Sequence, residues 1–173
     1  MKKIILLFFA FGVFSFIGSC SSNKKESIVA PEGMNVLDLT KYGKPFAMFI
    51  PDTTNAKLEI VQQSYGALDI KVGKVFAISI NDAAADLEMT KNDIKTDEVN
   101  KLKSFIAEEP NAILWESEIM QPEFHFLVNQ KIGNAEFSFE DVKNNEVNPF
   151  GKEAIQKMFD CSKNIKEVKS PNK

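Results

Sequence analysis

Four short, apolar, strand-forming runs crowd into the stretch from Pro45 to Ile80: PFAMFI (45–50), KLEIVQQ (57–63), ALDIKV (67–72) and KVFAISI (74–80). Between them stand PDTTN, SYG and a lone Gly73, all of it turn chemistry. Parallel strands need a crossover of a dozen or more residues, so gaps this short predict antiparallel hairpins. In KVFAISI, Phe76, Ile78 and Ile80 point one way while Val75 and Ala77 point the other, and neither set is polar. That pattern predicts a central strand covered on both faces.

The next block, 83–109, reads as helix. In TDEVNKLKSFIAEE, Val99, Leu102, Phe105 and Ile106 recur at i, i+3, i+6 and i+7, the spacing of one helical face. Thr96 suits an N-cap, Asp97 and Glu98 suit a first turn, and Pro110 would stop the run. AAADLEMTKNDIK, upstream, is also helical in character. Lys91 and Lys95 interrupt its stripe, so a break or kink is expected near Thr96. Three further strands follow, NAILWESEI (111–119), EFHFLVNQ (123–130) and AEFSFEDV (135–142), with Gln121–Pro122 and Gly133–Asn134 as turns. A last helix over about 150–166 carries Ala154, Met158, Cys161 and Ile165 on one stripe, flanked by Ile155 and Phe159. Strands joined by short turns, with helices segregated from them, make an α+β domain. The expectation is an antiparallel sheet of about seven strands with a long central helix and a C-terminal helix packed on it.

The N-terminus is of another kind. Lys2 and Lys3 precede an apolar run, IILLFFAFGVFSFI (4–17), and Gly18 and Ser19 precede Cys20. A positive start, an apolar middle and small residues at the end are the order of a cleaved secretory signal. A permanent span needs about 20 apolar residues, and this run is shorter, with Gly12 and Ser15 inside it. Residues 17–20, IGSC, resemble the lipobox of bacterial lipoproteins, with Ile17 where the family usually has Leu. The resemblance implies cleavage between Ser19 and Cys20 and a diacylglyceryl thioether on Cys20. Acyl chains contribute about 0.8 kcal/mol per buried CH₂, so several of them hold a protein to a bilayer stably.

Residues 20–32 read as a tether, polar and without apolar period, with a reach on the order of 18–20 Å. The family's inner-membrane retention signal is an Asp after the cysteine. Ser21 stands there, and Lys24 and Lys25 replace the acidic cluster of surface-directed relatives. The resemblance therefore implies an outer-membrane anchor with the domain facing the periplasm. The chain accordingly divides into a signal peptide (1–19), a tether (20–32), one globular domain (33–166) and a frayed tail (167–173).

Removing residues 1–19 leaves 154 residues, a single-domain length, with 19 lysines against 24 acids and a net charge of −5. Every basic residue is Lys. Without the guanidinium fork, and with its lysines spread along the chain, the sequence argues against nucleic-acid or phosphate recognition. With Cys20 acylated, Cys161 has no partner for an intrachain disulfide, and no thiolate metal cluster can form. No cofactor is called for, and a monomer is expected.

The early KPFAMFIP strand, the passage GKVFAISINDAAADLEM, the segment FIAEEPNAILWESE and the closing NPFGKEAIQKMFDCSKNIK together resemble the PsbP-like α-β-α sandwich. That group includes extrinsic photosystem subunits and bacterial envelope lipoproteins. The resemblance spans residues 33–166 and implies a scaffold or binding module, with no catalytic residue carried over.

Candidate chemistry is sparse. His125, the sole histidine, sits in an alternating strand with Leu127 on its face, and Ser117 and Ser138 lie inside strands with no Gly-x-Ser-x-Gly elbow. A half-exposed strand histidine is the simpler account. Glu116 and Glu118 share a face about 6–7 Å apart, a separation an inverting glycosidase uses. Paired acids on a solvated strand are commoner, and Trp115 points the other way. Asp82, Asp86 and Asp93 lack the Gly and the terminal Glu of a calcium loop, and Asp82 or Asp86 suits a helix N-cap. Cys161 reads as a small buried hydrophobe. The leading expectation is thus a non-enzymatic, membrane-anchored module that binds or assists an envelope protein or complex. A binder of an apolar small molecule or lipid comes second and a hydrolase third.

Overall fold

The computed structural model describes residues 28–142 and 149–168. The leader, Ser19, Cys20, the tether as far as residue 27 and residues 169–173 of the expected tail lie outside them. The described chain runs β1 (Met34–Asp38), a short 3₁₀ turn (Thr40–Tyr42), β2 (Phe46–Pro51), β3 (Leu58–Gln62), β4 (Leu68–Val72), β5 (Phe76–Asn81) and α1 (Leu87–Thr96). It continues through β6 (Lys101–Glu109), β7 (Ala112–Glu118), β8 (Pro122–Ile132), β9 (Ala135–Asp141), α2 (Lys152–Lys163) and β10 (Lys166–Glu167). Seven strands form one sheet in the order β3-β4-β5-β9-β8-β7-β6, and β1-β2-β10 form a small second sheet. Every pairing is antiparallel.

The α+β class and the seven-stranded antiparallel sheet match the expectation, but the long central helix does not. Only Leu87–Thr96 is helical, and residues 101–109 form edge strand β6. The cause lies in two β-bulges. The register with β7 skips between Leu102 and Ser104 and again between Phe105 and Ala107. A bulge inserts one extra residue, so two side chains on one sheet face stand three apart instead of two. Leu102 and Phe105, opposite Ser117 and Trp115, therefore imitate the i, i+3 spacing of a helix. Pro110 and Asn111 then form the hairpin turn between Glu109 and Ala112 rather than a helix stop. Thr96 is the last residue of α1, not an N-cap. The N-cap is Asp86, whose carboxylate accepts from Met89 N–H at 3.0 Å. Beyond Thr96 the Asp97 carboxylate accepts from the N–H groups of Val99 and Asn100 at 2.8 and 2.9 Å, and this turn ends the helix.

Membership of the large sheet also differs. The PFAMFI run supplies β2 of the small sheet, whose residues Phe46–Pro51 are all buried, and β6 takes the seventh place in the large one. β5 is the covered central strand, with Phe76 through Ile80 all buried. The last helix stops at Lys163 rather than about 166, because Gln130 donates to the carbonyls of Ser162 and Lys163 at 3.1 and 3.0 Å. Residues 166–167 then pair with β2.

One face of the large sheet carries the main core, where Phe46, Phe76, Phe126 and Phe139 are fully buried with Ile70, Ile78 and Ile80. Each such side chain contributes about 1.5–3 kcal/mol of burial. Ile155, Met158, Phe159 and Cys161 of α2 close this face, with the Phe126 and Phe159 rings edge to face at 6.3 Å. So the buried centre of α2 lies on Ile155 and Phe159 as much as on the Met158–Cys161 line. The opposite face carries a smaller cluster in which Leu87 of α1 meets Ile113 and Leu127, joined by Ile94, Phe105 and Trp115.

Candidate functional site

The face under α1 holds a grouping of ionisable side chains around His125. His125 on β8 stands directly opposite Trp115 on β7, and the rings are tilted against each other at 5.4 Å. The β8–β9 ladder ends at the pair Leu127 and Glu140, and the Asp141 carboxylate takes over where the backbone stops. One oxygen of Asp141 accepts from Phe126 N–H at 2.9 Å, and the other lies 2.9 Å from His125 Nδ1. Nε2 of the same ring is 3.6 Å from a Glu123 oxygen. Burial disfavours the charged ring, but the hydrogen bond and charge of Asp141, with Glu123 behind them, outweigh it and raise the pKa above 6.5.

A cavity of about 250 Å³ lies beside this ring, lined by Thr90, Asp93 and Ile94 of α1, by Asp97 and Asn100, and by Trp115 and His125. Three buried polar atoms among the described residues have no hydrogen-bond partner: Asn100 Oδ1, Ser117 Oγ and His125 Nε2. Such atoms are uncommon in folded proteins, and all three belong to this corner. Asn100 lines the cavity, and Ser117 faces Glu123 across the β7–β8 ladder, next to the His125 pair. An aspartate holding Nδ1 is two-thirds of a catalytic triad. The remaining third is not assembled, since Ser117 Oγ makes no hydrogen bond to the ring and both atoms are buried. What the arrangement does chemically is favour the protonated ring, through Asp141 at 2.9 Å from Nδ1 and Glu123 at 3.6 Å from Nε2.

The other expected residues lie apart. Glu118 is ion-paired with Lys103, Glu116 faces Ser104, and Trp115 points to the opposite face of β7. Asp82 is ion-paired with the buried Lys44, Asp86 caps α1 and Asp93 lines the cavity. No group of three or more His, Cys, Asp or Glu among the described residues could hold a metal. Ser138 is buried within β9 opposite Asn129. Cys161 is a buried free thiol, pushed by burial up to about 11, with Asp160 adding and Lys157 opposing.

A second concavity, an open groove of about 870 Å³, runs between the chain entering the domain and α2. Pro31, Met34, Phe49 and Cys161 give it an apolar floor, and Lys152, Glu153, Lys157 and Asp160 form a charged rim.

Sequence reasoning missed Asp141 as the partner of His125, although a signal existed. Gly133, with φ +58°, and Asn134 form a two-residue turn that pairs Ile132 with Ala135. Counting back along both strands from that turn brings Asp141 level with Phe126, one residue from His125. Comparison with protein-family models, with curated proteins and with solved structures finds no match to this chain.

Proposed function

We propose that the chain is a lipoprotein of the cell envelope, anchored to the outer membrane through acylated Cys20 and facing the periplasm. Its domain works without catalysis, as a binding or accessory module for an envelope protein or complex. The observation that carries this is the unbroken order of Lys2–Lys3, apolar run, IGSC box and polar tether ahead of the folded domain. The finer fold reading, a PsbP-like α-β-α sandwich, draws support from the two helices packing against opposite faces of the sheet. The open groove beside α2 supports one further reading, a binder of an apolar small molecule or lipid.

Metabolic labelling with an alkyne palmitate tests the anchor. The wild-type protein takes up label, and Cys20→Ala takes up none and keeps residues 1–19. A Cys20→Ala protein that is still cleaved and still partitions with membranes overturns the anchor. Native mass spectrometry of protein purified from its own membrane separates the two binding readings. A protein partner supports the module, and a co-purifying lipid supports the groove.

A further inference from the structure

The large sheet has two ends, and the exposed apolar side chains are shared unequally between them. One end is built from the β4–β5 turn, the loop from α1 to β6 and the β7–β8 loop, because Val72 pairs with Phe76 and Lys101 and Pro122 both pair with Glu118. The chain enters the fold at this end. Gly33 C=O accepts from Asp52 N–H at the end of β2, and residues 53–57 lead from there to the start of β3 beside the β4–β5 turn. Val29, Val75, Val99, Ile119 and Met120 are all exposed here, Met120 by 93% and Val99 by 72%. These five come from four separate segments. The opposite end exposes Tyr65, with Val61 one residue from the end of β3 and Met89 in the first turn of α1 close by, three against five among the described residues; Val36 lies along β1.

Single exposed apolar residues are ordinary, but a gathering of them at one end marks a contact surface. We propose that this end is a membrane-docking surface that rests on the phospholipid bilayer holding the anchor, with Val99, Ile119 and Met120 entering the interface. The inference rests on the lipid-anchor reading above. The segment between Cys20 and Gly33 joins the domain at this same end and spans at most about 47 Å. The apolar tip is therefore the part of the domain kept nearest the headgroups. Exposed Lys74 and Lys101 flank the tip, while Asp97 and Glu98 share its loops. Charge at this end is mixed, and apolar contact is what selects the bilayer.

Cysteine variants bearing the fluorophore NBD test the surface, because Cys161 is buried and Cys20 is acylated. Met120→Cys, Val99→Cys and, at the far end, Tyr65→Cys are placed in the full lipidated chain. The proteins are reconstituted into phosphatidylethanolamine–phosphatidylglycerol vesicles containing doxyl-labelled lipid. Probes at 120 and 99 are expected to shift to the blue and to be quenched several-fold more than the probe at 65. If all three behave as water-exposed while the protein floats with the vesicles, or if 65 is quenched as strongly as 120, the surface is refuted. A second preparation replaces residues 1–20 with a hexahistidine tag held on nickel-chelating lipid. Failure of the native chain to float then refutes the lipid anchor alone, and the tagged chain still decides the docking surface by the same contrast.

Discussion

Asp141→Asn isolates the proton held on His125. The substitution keeps an oxygen to accept from Phe126 N–H at the site of the present 2.9 Å bond, but it removes the negative charge facing Nδ1. A hydrogen bond between charged partners contributes about 1.5–3 kcal/mol, a neutral one about 0.5–1.5 kcal/mol. In the wild type the folded pKa of His125 lies above the ordinary 6.5. The bond's contribution is therefore fully present below the unfolded value and is lost as pH rises through the folded one. The variant is expected to lose about 1–1.5 kcal/mol near pH 6 and markedly less near pH 8. With a urea slope of about 2 kcal/mol per molar, that loss moves the unfolding midpoint near pH 6 by about 0.5–0.8 M. Because His125 is the sole histidine, its imidazole carbon-bound protons give one unambiguous NMR titration. The midpoint should lie above 6.5 in the wild type and fall in Asp141→Asn. A wild-type midpoint at or below 6.5, or parallel pH–stability curves for the two proteins, would refute the reasoning.

Cys161, with its thiol pushed up to about 11, should resist a polar thiol reagent at pH 8 in the folded protein and react at once in urea; rapid native labelling would contradict its burial. Asp86→Ala removes the carboxylate that accepts from Met89 N–H and should cost about 1 kcal/mol of stability, read from urea unfolding. Phe126→Ala empties a fully buried site at the centre of the main core and should cost about 3–5 kcal/mol. A loss below about 1 kcal/mol would mean that α2 does not close that face. Residues 24–149, lacking α2, should fail to show the cooperative transition expected of residues 24–173, because the α2 face built on Ile155, Met158 and Phe159 covers the sheet.

The sequence determined those features that depend on neighbours along the chain. Turn residues between short apolar runs are local, so β2 through β5 and β7 through β9 were legible to within a few residues, and with them the antiparallel class. The apolar pattern of KVFAISI, with Phe76, Ile78 and Ile80 on one face and Val75 and Ala77 on the other, marked β5 as covered, although Val75 itself lies in the β4–β5 turn and is exposed. The stretch proposed as leader and box, residues 1–20, is equally local, since that reading uses neighbours along the chain alone. β6 was hidden for the opposite reason. Its bulges follow from pairing with β7, and only that pairing reveals that the spacing of Leu102 and Phe105 belongs to a strand and not a helix. β1 and β10 became visible only once β2 had left the large sheet and offered both its edges. The His125–Asp141 bond joins residues on neighbouring strands, and the gathering of Val29, Val75, Val99, Ile119 and Met120 at one end joins four segments of the chain. Neither exists until strand order fixes which ends lie together. Local chemistry chose the elements, and the pairing of distant strands, through hydrogen bonds and burial that no single segment makes alone, decided what those elements bring into contact.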